Sequence, residues 1–326
     1  MRRKSVSYAK YGYIFSAPFV LAFLVFTLYP IIYTVVIGFT DLKGLGKTEI
    51  NFLSNPFENF QAVLSAPSFQ VSLSNTVLMW IVNFVPQILL ALLLAAWFTN
   101  NRLKIKGQGL FKVLIYLPNI ITAATIAILF NSLFAYPKGP VNDLLMMFGF
   151  LEEPVHFLIQ RWTARNIVSF LQFWMWYGNT MIVLIAGILG INPTLYEAAE
   201  IDGASSTQRF FRITLPNLRT ILLFTLVTSM IGGLQMFDIP KLFIIGGNGG
   251  PDNATLTASV FIYNQAFGPS RLYNRASAAS LILFIIIMIL SAILFFVMRD
   301  KDAIKHEKEL KALRKSEKSM MRRGQL

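Results

Sequence analysis

Apolar residues gather in six long runs, at about 14–39, 75–98, 111–134, 167–189, 219–241 and 276–298. A helix that crosses a membrane needs about 20 mostly apolar residues, because it rises about 1.5 Å per residue through a core about 30 Å thick. All six runs meet that length. The pattern therefore predicts an all-α, polytopic membrane protein with six transmembrane helices. The first run follows Arg2, Arg3 and Lys4 but outlasts a signal-peptide core, and no small-residue cleavage site closes it; it reads as a retained span.

Polar positions inside the runs are informative because they are costly against lipid and turn toward neighbouring helices or a cavity. Asn83, Pro86 and Gln87 interrupt the second run, and Pro118, Asn119 and Asn131 the third. The fourth holds Trp174, Trp176, Tyr177 and Asn179, and the fifth holds Gln235, Phe237 and Asp238. Aromatic faces cover the C–H surfaces of sugars and amide or acid groups replace water around hydroxyls, so these seven residues form a candidate solute pathway. The plainer reading is interfacial anchoring for the tryptophans and interhelical hydrogen bonds for the amides. The sixth run opens with Ser277, Ala278, Ala279 and Ser280, small residues that permit close helix packing.

Composition narrows the class. The chain is 55% hydrophobic and 14% charged, where soluble domains carry about 25% charged residues. It has no cysteine and two histidines, which excludes disulfides, thiolate chemistry and a multi-histidine metal site. The net charge of +13 is mainly an orientation signal: most Lys and Arg fall at the N-terminus, at 102–112, at 209–219 and in the tail after 298. The positive-inside rule then places both termini in the cytoplasm. No recognition motif accompanies these bases, so nucleic acid is not an expected partner. The expected organisation is a cytoplasmic N-terminal tail (1–11), a six-span transmembrane domain (12–298) containing a cytoplasmic loop at 190–218, and a charged cytoplasmic tail (299–326).

That loop carries the strongest local signals. Asn192 is placed to cap a helix beginning at Pro193, Gly203 to end it, and Ser205 with Gln208 to start a second one as a capping box. Pro216 is expected to break the second helix before the fifth span. A short helix pair tied at both ends to membrane helices can pass a push from a soluble partner into the bundle, although an ordinary structured loop has the same signature.

The run Glu197-Ala198-Ala199, then Asp202-Gly203, then Ile213-Thr214-Leu215-Pro216, resembles the EAA loop of ABC-importer permease subunits. The fuller segment from Tyr196 to Ala204 is similar to the carbohydrate-import branch, the maltose-type and glycerol-3-phosphate-type permeases. Leu117-Pro118-Asn119, Phe237-Asp238 and Gly246-Gly247-Asn248-Gly249-Gly250-Pro251 agree with that branch, although Asn248 interrupts a glycine run the family more often keeps whole. The resemblance covers roughly residues 12–298. It implies a MetI-like permease fold in a bacterial or archaeal inner membrane, with Glu197, Ala198, Ala199, Asp202, Gly203, Ile213, Leu215 and Pro216 in an ATPase-coupling loop. It also implies two copies of an ABC ATPase that use ATP and Mg, a second homologous permease (usually as a heterodimer), and an extracytoplasmic solute-binding protein. This chain itself would bind no cofactor and catalyse nothing. A secondary transporter or channel for a small polar solute is the alternative; it would need coupling charges or a filter of its own, and few ionisable residues lie within the runs. A membrane enzyme is disfavoured by the lack of a nucleophile motif or paired carboxylates.

Overall fold

The computed structural model describes residues 9–46, 49–100, 103, 105–244, 248–298 and 309. Most of the two expected tails therefore lies outside the described residues, as do Arg102, Lys104, Gly246 and Gly247.

The first span, Lys10–Gly38, consists of α1 (Ala9–Phe23) and α2 (Tyr29–Gly38), joined by a π-helical stretch, Leu24–Leu28. It is exposed along most of its length and buries only its end, where Gly38 meets Leu281 and Ala278. The short α3 (Glu58–Leu64) leads into α4 (Pro67–Phe98), the second span. The third run is not one helix. It forms α5 (Gln108–Ile120) and α6 (Ala123–Leu133), bent by 93°. Ile121 and Thr122 adopt extended backbone at the break, and the Thr122 hydroxyl accepts from the Thr125 N–H to cap α6. The cause is therefore a new N-cap just beyond Pro118, not a proline kink alone.

A connection containing α7 (Pro140–Met147) leads to α8 (Arg161–Leu189), the fourth span. The helix pair of the polar loop follows: α9 (Pro193–Ile201), α10 (Ser206–Arg209), a π-helical stretch (Phe210–Thr214) and α11 (Leu215–Asn217). The fifth span divides into α12 (Arg219–Leu234) and α13 (Asp238–Leu242). Thr257 Oγ1 donates to the Met236 carbonyl at 2.9 Å, satisfying backbone that the interrupted helix leaves free. After α14 (Ala258–Phe267), α15 (Tyr273–Met298) completes the bundle. Among the described residues, five helices are long and apolar enough to cross a membrane, or six with the bent pair counted as one.

Helices α4 and α8 form the central pair. Gln87 Nε2 donates to Thr180 Oγ1 between them at 2.7 Å, and Asn131 Nδ2 donates to the Phe243 carbonyl at the end of α13 at 2.8 Å. These two amides thus serve helix neighbours, as their cost in lipid requires. Gly178 on α8 lets α5 cross closely: a Cβ there would lie 2.2 Å from the Ile115 carbonyl oxygen. Ala278 and Ala279 are fully buried and pack with α14 and the α3–α4 corner, as the small-residue stretch predicts. Arg219 Nε donates to the Met298 carbonyl at 2.9 Å, so α15 ends beside the start of α12, at the same end of the bundle as the polar hairpin.

Candidate functional site

The hairpin is built from local signals that all close. Asn192 Oδ1 accepts from the Thr194 N–H at 3.1 Å, with Pro193 in the first turn. At the other end Ala204 N donates to Ala199 O at 2.9 Å and Gly203 N to Glu200 O at 3.1 Å. That is a Schellman closure, and it needs the left-handed backbone that Gly203 supplies with φ of +73°. Ser205 and Gln208 then exchange both bonds of a capping box, at 3.2 and 2.8 Å. The second helix continues past the expected break. Pro216 sits inside α11 and the interruption falls at Leu218, because the π-helical stretch Phe210–Thr214 widens the turn before a residue with no N–H to give.

Two contacts across the turn make the pair a unit. Tyr196 Oη and Thr214 Oγ1 share a hydrogen bond at 2.9 Å. Arg209 pairs with Glu200 at 3.3 Å; its side chain is largely buried while that of Glu200 is half exposed. Ile191, Tyr196 and Leu218 tie the hairpin to the ends of α4 and α8 through a cluster with Ala95, Leu184 and Ile188. A cavity of about 490 Å³ remains between hairpin and bundle, lined by Ala96, Trp97, Ile188, Tyr196, Glu197 and Phe210 among others.

The hairpin also carries exposed apolar residues. Ile201 is 87% exposed, and Leu195 and Phe211 are exposed as well. Glu197, Ala198, Asp202, Gly203 and Pro216 are exposed, whereas Ala199, Ile213 and Leu215 are half-buried. The expected loop residues thus divide into an exposed set and a half-buried set, with Glu197 of the exposed set lining the cavity. Tyr196, Thr214, Glu200 and Arg209 were not singled out by sequence reasoning; pairs 18 and 9 residues apart lie beyond any helical spacing.

The candidate pathway residues divide similarly. Trp174 meets Phe130 edge-on at 5.4 Å and joins the core cluster containing Val168, Met236 and Ile239. Tyr177 stacks on Phe173 at 5.5 Å, Trp176 is exposed and Asn179 is half-buried. Phe237 lies 5.2 Å from Tyr263, while Gln235 and Asp238 are exposed at the break between α12 and α13. The inward members Met236 and Ile239 pack on α8, which leaves Gln235 and Asp238 on the open side. Among the described residues no group of three His, Asp or Glu side chains could hold a metal ion.

A family model described as "Binding-protein-dependent transport system inner membrane component" matches residues 60–301. The lactose transport system permease protein LacF of Rhizobium radiobacter is 34% identical over 290 residues, covering 89% of this chain and 94% of its own length. The trehalose/maltose transport system permease protein MalF of Thermococcus litoralis is 32% identical over 289 residues, covering 86% of this chain and 90% of its own. A chain from a bacterial ABC transporter involved in the import of the acidic polysaccharide alginate superposes with a TM-score of 0.73 at 25% identity, covering 88% of this chain and 94% of that one.

Proposed function

Since the chain belongs to the family of binding-protein-dependent transport system inner membrane components, as the membrane permease half of an ABC carbohydrate importer, we propose that its 190–218 hairpin docks the ATP-hydrolysing subunit. The observation that carries this reading is a hairpin fixed to α4 and α8 that still exposes large apolar residues. One side is clasped to α4 and α8, Leu195, Ile201, Phe211 and Asp202 stay exposed, and Glu197 is exposed at the cavity between hairpin and bundle. Exposed apolar groups on a hairpin that also exposes acids suit a cleft on a soluble protein with an apolar floor and a polar rim. Glu197 supplies polar contacts at that surface and Gly203 the turn that shapes it.

On this reading the hairpin and both termini are cytoplasmic, in line with the distribution of Lys and Arg, and the opposite end of the bundle faces a solute-binding protein. A second homologous permease completes the pore, and each of the two permeases takes one copy of the ATPase. The chain lacks cysteine, so Ile201→Cys introduces a single thiol on the docking face. Oxidation with an ATPase subunit carrying one cysteine in its cleft is expected to give a covalent permease–ATPase product that ATP-driven turnover modulates. Absence of any product across a set of cleft positions, with the complex intact, would remove the docking role.

The solute pathway is proposed to run along Trp176, Tyr177 and Asn179 of α8 and along Gln235, Phe237 and Asp238 at the broken fifth span, with Trp174 holding α8 against α6 from behind. Gln235→Ala and Asp238→Ala are expected to raise the half-saturation of uptake by about tenfold, as loss of one hydrogen bond to a solute hydroxyl does. Initial rates against sugar concentration check this; unchanged half-saturation in both variants would move the pathway elsewhere.

A further inference from the structure

Arg165 stands in the second turn of α8, at the end of the bundle opposite the hairpin, and is only 7% exposed. Burial of a cation is costly without a partner, yet among the described residues Arg165 forms no ion pair. Its guanidinium instead spans two other elements. Nε donates to the Ala254 carbonyl at 3.0 Å, and Nη2 donates to Asn75 Oδ1 on α4 at 2.7 Å. Asn75 in turn donates through Nδ2 to the carbonyls of Asn253 at 2.6 Å and Leu256 at 3.1 Å. One residue on, Thr76 Oγ1 accepts from the Ala258 N–H at 2.9 Å.

The segment so held, 249–256, follows an irregular path. Gly249, Gly250, Asp252 and Asn253 all have positive φ, at 109°, 69°, 49° and 57°. Asp252 and Asn253 are residue types that adopt this conformation, and their surroundings hold it in place. The surroundings here are the Arg165–Asn75 pair and the buried run Ala254 to Thr257. Charge-assisted bonds from a fixed guanidinium fork are strong and directional, so the Asn253, Ala254 and Leu256 carbonyls are set by α8 and α4 together.

Helix α8 is unbroken over 29 residues, about 43 Å at 1.5 Å per residue. Its far end carries the hairpin through Ile188 and Ile191. One rod therefore has the hairpin at one end and the clamped loop at the other. We propose that Arg165, with Asn75, is a positioning residue that gears the 249–256 loop to the hairpin, so that a partner seated on the loop is sensed by the subunit seated on the hairpin. This inference rests on the reading that an ATPase docks on the hairpin and a solute-binding protein meets the opposite end.

The test uses the complete transporter in proteoliposomes, with the solute-binding protein added as purified with its bound saccharide. ATP hydrolysis is measured with and without that protein. Arg165→Ala is expected to leave basal hydrolysis within about twofold while cutting its stimulation by about tenfold, the ordinary size of a coupling between two sites. Arg165→Lys, which keeps the charge and can reach one of the two acceptors, is expected to restore part of the stimulation. Asn75→Ala is expected to reproduce the Arg165→Ala defect, and the double variant to be no worse, because the two residues act as one unit. Stimulation equal to wild type in Arg165→Ala, or equal loss of basal and stimulated hydrolysis, overturns the proposal. If Arg165→Ala does not assemble, Asn75→Ala, which leaves the cation on Ala254, is read by the same two outcomes. A wild-type complex with no stimulation at all overturns the docking reading instead.

Discussion

Gly203→Val is expected to lower ATP-driven uptake by about tenfold or more without preventing membrane insertion. Gly203 holds φ of +73°, and nothing lies within 4 Å of a Cβ built there. The penalty is therefore backbone strain alone, about 1–2 kcal/mol for a residue forced into the left-handed region and more for a β-branched one. The chain relieves that strain by opening the Schellman closure, which releases Ala204 from Ala199 and displaces Ile201 and Asp202 on the proposed docking face. A loss of about 1.4 kcal/mol at the docking surface weakens association with the ATPase tenfold. Asn tolerates the left-handed region, so Gly203→Asn is expected to keep most activity. Glu197→Ala probes the same surface chemically: its side chain is exposed, so the loss should fall on uptake and not on stability. Uptake by the three variants, measured beside the amount of permease in the membrane, checks the set. Equal activity of Gly203→Val and Gly203→Asn would show that the turn's conformation does not matter.

The second large effect is on folding. Gly178→Val should remove the folded permease from detergent extracts, whereas Gly12→Val should change nothing. A Cβ at position 178 would lie 2.2 Å from the Ile115 carbonyl oxygen and 3.0 Å from the Tyr116 Cα, both backbone atoms that no rotamer change can move aside. Helix α5 must shift away from α8, at a cost of about 3 kcal/mol or more for overpacking. Gly233→Ala is an informative intermediate. Its Cβ would meet the Trp80 ring at 2.1 Å, and that side chain stacks on Phe84 and can turn only by giving up the contact. Recovery of monodisperse protein and its thermal midpoint should rank Gly12→Val above Gly233→Ala above Gly178→Val. A stable Gly178→Val permease would mean that α5 and α8 do not cross where the structure places them.

Much of this architecture is legible in the sequence because it depends on local signals. The spans follow from runs of apolar residues, and Asn192, Gly203 and the Ser205–Gln208 box act on backbone groups within three residues of themselves. The break in the third run is harder to read. Thr122 is one threonine among apolar neighbours, and only the fold makes its hydroxyl an N-cap. The continuation of the second hairpin helix past Pro216 depends on a widened turn that no residue type announces. The division of the pathway candidates was also hidden. Trp174 and Trp176 are equally plausible as sugar contacts in the sequence, but the first packs on Phe130 in the core and the second is exposed. Least legible is Arg165. A basic residue at the start of a span reads as an interface anchor, and its partners stand 90 and 89 residues away.

The central claim is that this permease moves its sugar by borrowing ATP hydrolysis through the 190–218 hairpin. The most direct measurement is sugar uptake into proteoliposomes holding the complex recovered with this chain, with the solute-binding protein outside and ATP either enclosed or omitted. Accumulation that requires enclosed ATP, and that is lost in Gly203→Val while the ATPase subunit still hydrolyses ATP on its own, is the result predicted. Accumulation that proceeds without ATP, driven by an ion gradient, or that is unaffected by Gly203→Val, would contradict the account.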